Sequence, residues 1–171
     1  MKSRKVVVLP YDEKWETDFE KIKKEIELAI GELIIGIEHV GSTSVKGMMA
    51  KPCIDIDVII EDYLVFDKVV ESLARIGYYH EGNLGIENRE AFAYTDKPHL
   101  ALHHLYVCPK DSLELKRHLT FRDFLRNNQD AVLKYSLVKE EAAKLYPSDI
   151  DKYIEYKTPC IKELYKICGL E

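Results

Sequence analysis

Strand-forming and helix-forming patterns are segregated along this chain, and that restricts what it can fold into. Up to Pro109 short β-rich runs alternate with helical stretches, whereas after Asp111 only helical spacing remains. A chain ordered this way reads as α+β: a mixed sheet of about five strands flanked by helices, with a C-terminal helical subdomain. The expected division is an α/β core over residues 1–110 and a helical subdomain over 111–171. A length of 171 residues suits both parts as one compact unit.

The periodicities place the elements. Trp15, Phe19, Ile22, Ile26 and Ile30 recur at steps of four, three, four and four, which predicts a helix over 12–30 with one buried face. Phe66, Val69, Val70, Leu73 and Ile76 predict a second helix, closed by Gly77. Strands are expected at Lys5–Leu9, Leu33–Val40, Cys53–Ile60, Tyr78–His80, Ala91–Tyr94 and Leu100–Val107. The segment Val45–Pro52 reads as a helical turn or loop, and the tail carries helices over 112–127, 129–145 and 148–168.

Composition excludes several classes. Hydrophobic types at 46% and charged types at 32% are ordinary globular usage and argue against disorder. A formal charge of −5 argues against generic DNA binding through phosphates. The apolar run before Pro10 is too short for a signal-peptide core, and no stretch could span a membrane, so a cytoplasmic protein is expected. Cys53, Cys108, Cys160 and Cys168 contain no C-x-x-C pair and are read as reduced small hydrophobes.

The chemistry concentrates in two places. Gly41-Ser42 at a strand end, followed by a helical turn, offers free backbone N–H groups and a hydroxyl to an anion. Thirteen residues after Ser42 comes Asp55-Ile56-Asp57, whose two carboxylates share one strand face, where a divalent cation would offset their repulsion. The same residues are also compatible with a plain turn at Gly41, a helix cap at Ser42 or Thr43, and a solvated strand face at the aspartates.

The order of these pieces resembles the signature of the polymerase-β-type nucleotidyltransferases. More closely, the chain resembles the GrpB family, through Tyr11 with Trp15, the run from Glu38 to Val45, Gly47, Ala50-Lys51-Pro52, Asp55-Ile56, Arg89, His104-Leu105, Phe121-Arg122-Asp123 and Leu125-Arg126. The resemblance implies a nucleotidyltransferase-like fold, with Gly41, Ser42 and Thr43 at the nucleotide phosphates and Asp55 and Asp57 as catalytic ligands of Mg²⁺ or Mn²⁺. It also offers Lys51, Arg89, Arg122 and Arg126 as nucleotide-binding cations, with Lys139 and Lys157 as further candidates.

The chain departs from that pattern on the Leu100–Val107 strand, which has no third carboxylate, and at Lys46, where relatives often have Pro. His104 is a possible substitute metal ligand, or an ordinary strand histidine; its neighbour His103 must point to the opposite face. Arg122 and Arg126, at i and i+4, would meet either a substrate phosphate or a carboxylate of the protein itself. The function this implies is metal-dependent transfer of a nucleotidyl group from a nucleoside triphosphate to a small-molecule or macromolecular acceptor. The rivals are a non-catalytic nucleotide- or CoA-binding module, since GrpB-like segments occur fused to dephospho-CoA kinase, and a metal-dependent phosphohydrolase.

Overall fold

Alternation along one strand organises the whole molecule. The structure, a computed structural model, describes residues 5–171. Its strands are β1 (Gly36–Val40), β2 (Ile54–Ile60), β3 (Tyr79–Gly82), β4 (Glu90–Ala93) and β5 (His103–Pro109). Its α-helices are α1 (Lys14–Ile30), α2 (Phe66–Arg75), α3 (Leu113–Arg126), α4 (Gln129–Leu145) and α5 (Ile150–Ile167). The strands form one mixed sheet in the order β1-β2-β5-β4-β3, with β2 and β5 parallel and the other neighbours antiparallel.

Ile54, Ile56, Val58 and Ile60 of β2 all point to one side of the sheet. There they meet Trp15, Phe19, Ile22, Ile26 and Ile30 of α1 and Val69 and Leu73 of α2 in the main core. The stripe predicted for α1 is therefore its buried face. Each of the isoleucines removed from water in this way contributes about 1.5–3 kcal/mol, so the pattern dictates which way β2 faces. A one-residue slip of β2 would drive its aspartates into this core.

The opposite side of the sheet carries Glu38 and Val40 of β1, Asp55 and Asp57 of β2, and His104 and Tyr106 of β5, level with one another by register. The C-terminal helices lie over this side. They are anchored by a second core in which Val45 and Met48, from the loop after β1, pack with Leu125, Val132, Tyr135, Cys160 and Leu164. Met49 N–H also donates to Ser136 Oγ at 3.1 Å.

Three sequence expectations shift. The strand expected at Lys5–Leu9 is reduced to a single bridge, Leu9 with Ala50 through reciprocal backbone bonds at 2.9 Å, while Val6 N–H donates to Pro147 O at 2.9 Å. Pro10 follows at once and has no N–H with which to extend the ladder. The strand expected from Leu33 starts at Gly36, because Gly31–Leu33 first wind a 3₁₀ turn that ends α1. In the segment after β1 the helical turn occupies Ser42–Ser44, and Val45–Pro52 runs as loop except for the Ala50 bridge.

Candidate functional site

The turn after β1 is built around Gly41, whose φ of +74° and ψ of −175° belong to a region that side chains avoid. Space imposes the same requirement, because a Cβ on Gly41 would overlap the Asp55 carboxylate and sit 3.1 Å from its Cβ. The lack of a side chain thus lets the turn and the aspartate strand touch. Ser44 Oγ donates to Gly41 O, and the turn's own backbone bonds begin at Ser44 N–H, leaving the N–H groups of Ser42 and Thr43 without partners inside the turn.

Each side chain of the turn has a different partner. Ser42 Oγ accepts from Lys139 Nζ of α4, so this hydroxyl is not a helix cap. Thr43 is buried, and its hydroxyl shares a 2.8 Å hydrogen bond with His39 Nε2. His39 stacks on Phe19 with ring centroids 4.7 Å apart, and burial followed by the Arg126 charge pushes its imidazole down to about 4. His39 is therefore neutral and belongs to the framework of the turn.

The two aspartates share a face but have separate environments. Asp55 is half-buried, and its Oδ1 accepts from His104 Nδ1 at 2.9 Å. Hydrogen bonds to Asp55 and Cys53 hold the His104 imidazole up at about 10. Asp57 is 0% exposed. Its Oδ2 accepts from His118 Nδ1 of α3 at 2.6 Å, and His118 Nε2 lies 3.1 Å from Glu114 Oε1. Asp57 Oδ1 has no hydrogen-bond partner among the described residues. Burial raises the Asp57 carboxyl above its ordinary range, against the pull of His118. Burial also opposes charge on His118, but the bond to Asp57 and the nearby carboxylates outweigh it and raise its pKa.

Ser42 and Asp55 line two cavities. One, of about 220 Å³, is lined by Ser42, Thr43, Lys51, Cys53, Asp55, His104, Tyr153 and two lysines, Lys139 and Lys157. Lys139 is only 3% exposed; its Nζ donates to Ser42 Oγ and, at 3.1 Å, to Met49 O, and lies 4.2 Å from the Tyr135 ring centroid. Burial and then the charge of Lys157 push its ammonium down to about 7. Lys157 lies over the Tyr153 ring, and burial lowers its pKa as well. The second cavity, about 210 Å³, lies on the α3 side between Gly41, Ser42, Asp55 and Arg117, His118, Phe121, Arg122, Tyr135 and Tyr165.

The structure thus brings Gly41, Ser42, Thr43, Lys51, Asp55 and His104 together and sets three other expected residues apart. Asp57 lines neither cavity, being held by His118. Arg89 stacks on Tyr106, 4.3 Å from the ring centroid. Arg126 donates to Ser44 O at 2.9 Å and faces a separate outer groove. Arg122 reaches the second cavity, but its guanidinium is engaged by Glu38 at 2.6 Å, Asp123 at 2.9 Å and His39 O at 3.1 Å. Arg122 thus meets two carboxylates of the protein, Glu38 and Asp123.

No acid stands beside Asp55 or Asp57 on β5, where His104 and Tyr106 occupy those levels. A third carboxylate arrives instead from the other neighbour: Glu38 of β1 is opposite Asp57 and is tied to Arg122. Sequence reasoning missed His118 and Glu114. The available signal was a stripe at steps of four, Glu114, His118, Arg122 and Arg126, down one side of α3.

The family model described as GrpB protein matches residues 5–166. Glutamate-rich protein GrpB of Alkalihalophilus pseudofirmus is 35% identical over 162 residues, which cover 93% of each chain. The crystal structure of conserved protein GrpB from Enterococcus faecalis superposes with a TM-score of 0.78 at 32% identity, covering 94% of this chain and 98% of that one. A more distant likeness is Cid1 poly(U) polymerase bound to MgATP, with a TM-score of 0.57 and 11% identity over 79% of this chain and 44% of that one, which shows a shared nucleotidyltransferase-type fold.

Other relatives are longer. UPF0157 protein YqkA of Bacillus subtilis is 33% identical over 159 residues, and a dephospho-CoA kinase of Mycobacterium tuberculosis is 26% identical over 182; the chain spans 46% and 45% of their lengths. Among the described residues no helix is long and apolar enough to cross a membrane. With the family model covering nearly its whole length and a relative of matching extent at 35% identity, the chain belongs to the GrpB family.

Proposed function

We propose that this chain is a metal-dependent nucleotidyltransferase that binds a nucleoside triphosphate and passes its nucleotidyl group to an acceptor. The observation that carries this reading is the direct contact of the Gly41–Ser42 turn with Asp55, at the mouth of a cavity holding Lys139 and Lys157. Phosphate donors and a metal-binding carboxylate are thereby adjacent, as a triphosphate requires. The distant likeness to a polymerase bound to MgATP supports the same reading.

The residues present fit a divalent cation. Asp57 Oδ1 is a buried acceptor without a donor, and the Asp55 carboxylate borders both cavities. Asp55 and Asp57 would hold Mg²⁺ or Mn²⁺, which when bound would neutralise phosphate charge and stabilise the attacking and leaving oxygens. The chain's own groups do the rest. The Ser42 and Thr43 N–H groups and the Ser42 hydroxyl hydrogen-bond phosphate oxygens, and Lys139 and Lys157 balance the charge of the pyrophosphate end. Lys51 at the cavity rim adds a third cation. Arg122 and Arg126 hold the turn in place through Glu38 and Ser44 O rather than contacting phosphate.

Calorimetric titration of ATP and GTP, first in EDTA and then with Mn²⁺, tests the proposal, followed by an assay of pyrophosphate release. Binding that requires Mn²⁺, with pyrophosphate released once an acceptor is supplied, is the expected result. Equal affinity in EDTA would remove the metal bridge. The rival reading, a nucleotide- or CoA-binding module without turnover, is favoured by His104 and Tyr106 standing where an acid is expected and by the likeness to dephospho-CoA kinases. Binding without pyrophosphate release would support it, and release of inorganic phosphate would support a phosphohydrolase.

A further inference from the structure

Cys53 shares the aspartate face. It lies two positions before Asp55, so it joins Asp55 on the same side of the strand line, and His104 is the register partner of Asp55 on β5. One donor atom from each, the Cys53 sulfur, an Asp55 oxygen and a His104 nitrogen, lie within 4.8 Å of one another. The His104 to Asp55 separation is already 2.9 Å. In a tetrahedral zinc site, with Zn–S about 2.3 Å and Zn–N and Zn–O about 2.0–2.2 Å, neighbouring donors stand roughly 3.3–3.8 Å apart. Small side-chain adjustments reach that geometry.

We infer that Cys53, Asp55 and His104 form a site for a thiophilic divalent cation of the Zn²⁺ or Co²⁺ type, distinct from the all-oxygen Mg²⁺ or Mn²⁺ site proposed at Asp55 and Asp57. The donor set decides the ion. A thiolate and an imidazole select borderline-soft ions, whereas Mg²⁺ takes oxygen ligands and keeps its water. Asp57 is not part of this set, because it does not line the cavity on which Cys53, Asp55 and His104 converge. Three protein ligands would leave one position open, and all three line the cavity that also holds Ser42, Lys139 and Lys157. A zinc site of three ligands with an open position accepts a water or an anion there. His104 is half-exposed, which gives the ion a way in.

Asp55 is common to both sites, so the two kinds of ion exclude each other. Zn²⁺ bound through Cys53 would withdraw Asp55 from a Mn²⁺–triphosphate complex. The inference rests on the geometry of these three side chains and goes beyond the transferase reading, which uses neither Cys53 nor a soft ion.

Co²⁺ titration of the reduced protein, followed by absorption, is the test. The expected result is one Co²⁺ per chain, with a near-ultraviolet thiolate-to-cobalt charge-transfer band and intense visible bands of a four-coordinate ion, all reversed by Zn²⁺. Cys53→Ser should lose the charge-transfer band, and His104→Ala should weaken Co²⁺ binding at least tenfold. Because His104 is half-exposed, its variant keeps the fold and so serves even if Cys53→Ser does not fold. Absence of the band in the wild type, or an unchanged spectrum in either folded variant, overturns the site. Adding ATP with Mn²⁺ separates the two readings. No Co²⁺ band with intact Mn²⁺-dependent ATP binding removes only the soft-metal site, whereas a Co²⁺ band with no ATP binding upholds this site and removes the transferase.

Discussion

His118 Nδ1 on α3 donates to Asp57 Oδ2 on β2 at 2.6 Å, and this contact joins the C-terminal helices to a carboxylate with no exposure at all. Deleting the imidazole would strand that carboxylate. His118→Ala is expected to cost about 1–3 kcal/mol, the penalty for a buried group left unsatisfied. In an Asp57→Asn background the same deletion should cost under about 1 kcal/mol, giving a coupling within the 0.5–3 kcal/mol range of contacting pairs. Urea unfolding of the four proteins at pH 7 measures it, and additive costs would mean that the contact does not couple the two elements.

Gly41 answers to two constraints at once, its backbone angles and the Asp55 carboxylate pressed against it. Gly41→Ala should destabilise the protein by roughly 1–3 kcal/mol through the backbone alone. It should also displace Asp55 and remove Mn²⁺-dependent ATP binding. A variant that melts like the wild type and binds ATP normally would show that turn and carboxylate do not meet.

Lys139 couples anion binding to protons. Its ammonium is pushed down to about 7, so near neutral pH it is partly uncharged, and an anion in the cavity favours the charged form. Sulfate, measured in EDTA, should therefore bind more tightly as pH falls from 9 to 6, with proton uptake visible as a buffer-dependent heat. Lys139→Met should weaken binding and flatten this dependence. Ser42→Ala removes one hydrogen-bond donor to the anion and should cost about 1–2 kcal/mol of sulfate affinity. A wild-type affinity that does not vary with pH would exclude Lys139 as the titrating group.

His39 should leave a signature in stability rather than in binding. Its folded-state value of about 4 lies below the ordinary 6.5, so between these values the unfolded chain takes up a proton that the folded one refuses. Stability from this group is complete above about pH 6.5 and is lost as pH falls toward 4. The stability difference between wild type and His39→Gln should change in the wild type's disfavour over that window. A constant difference from pH 7 to pH 4 would mean that His39 becomes charged in the folded protein.

The residue pattern alone was enough for α1, α4, the aspartate strand and the Gly-Ser turn, because each rests on local periodicity or on backbone freedom. Trp15 through Ile30 can bury one stripe only as a helix, and Ile54, Ile56 and Val58 can enter the core only if Asp55 and Asp57 face the other way. Family wording, carried by His39 through Asp57, was equally legible. The separate fates of the two aspartates were not. Whether a carboxylate on a given face meets a cavity, a histidine or water depends on what crosses that face from far along the chain. His118 reaches Asp57 from 61 residues away and His104 reaches Asp55 from 49. Lys139 was legible only as a candidate cation; its burial and its contact with Ser42 depend on helices that no local pattern places over that turn, as do the bonds of Arg122 to Glu38 and of Arg126 to Ser44 O. Periodicity determined which residues share a side of each element; only the packing of α3, α4 and α5 over the sheet decided which of them touch.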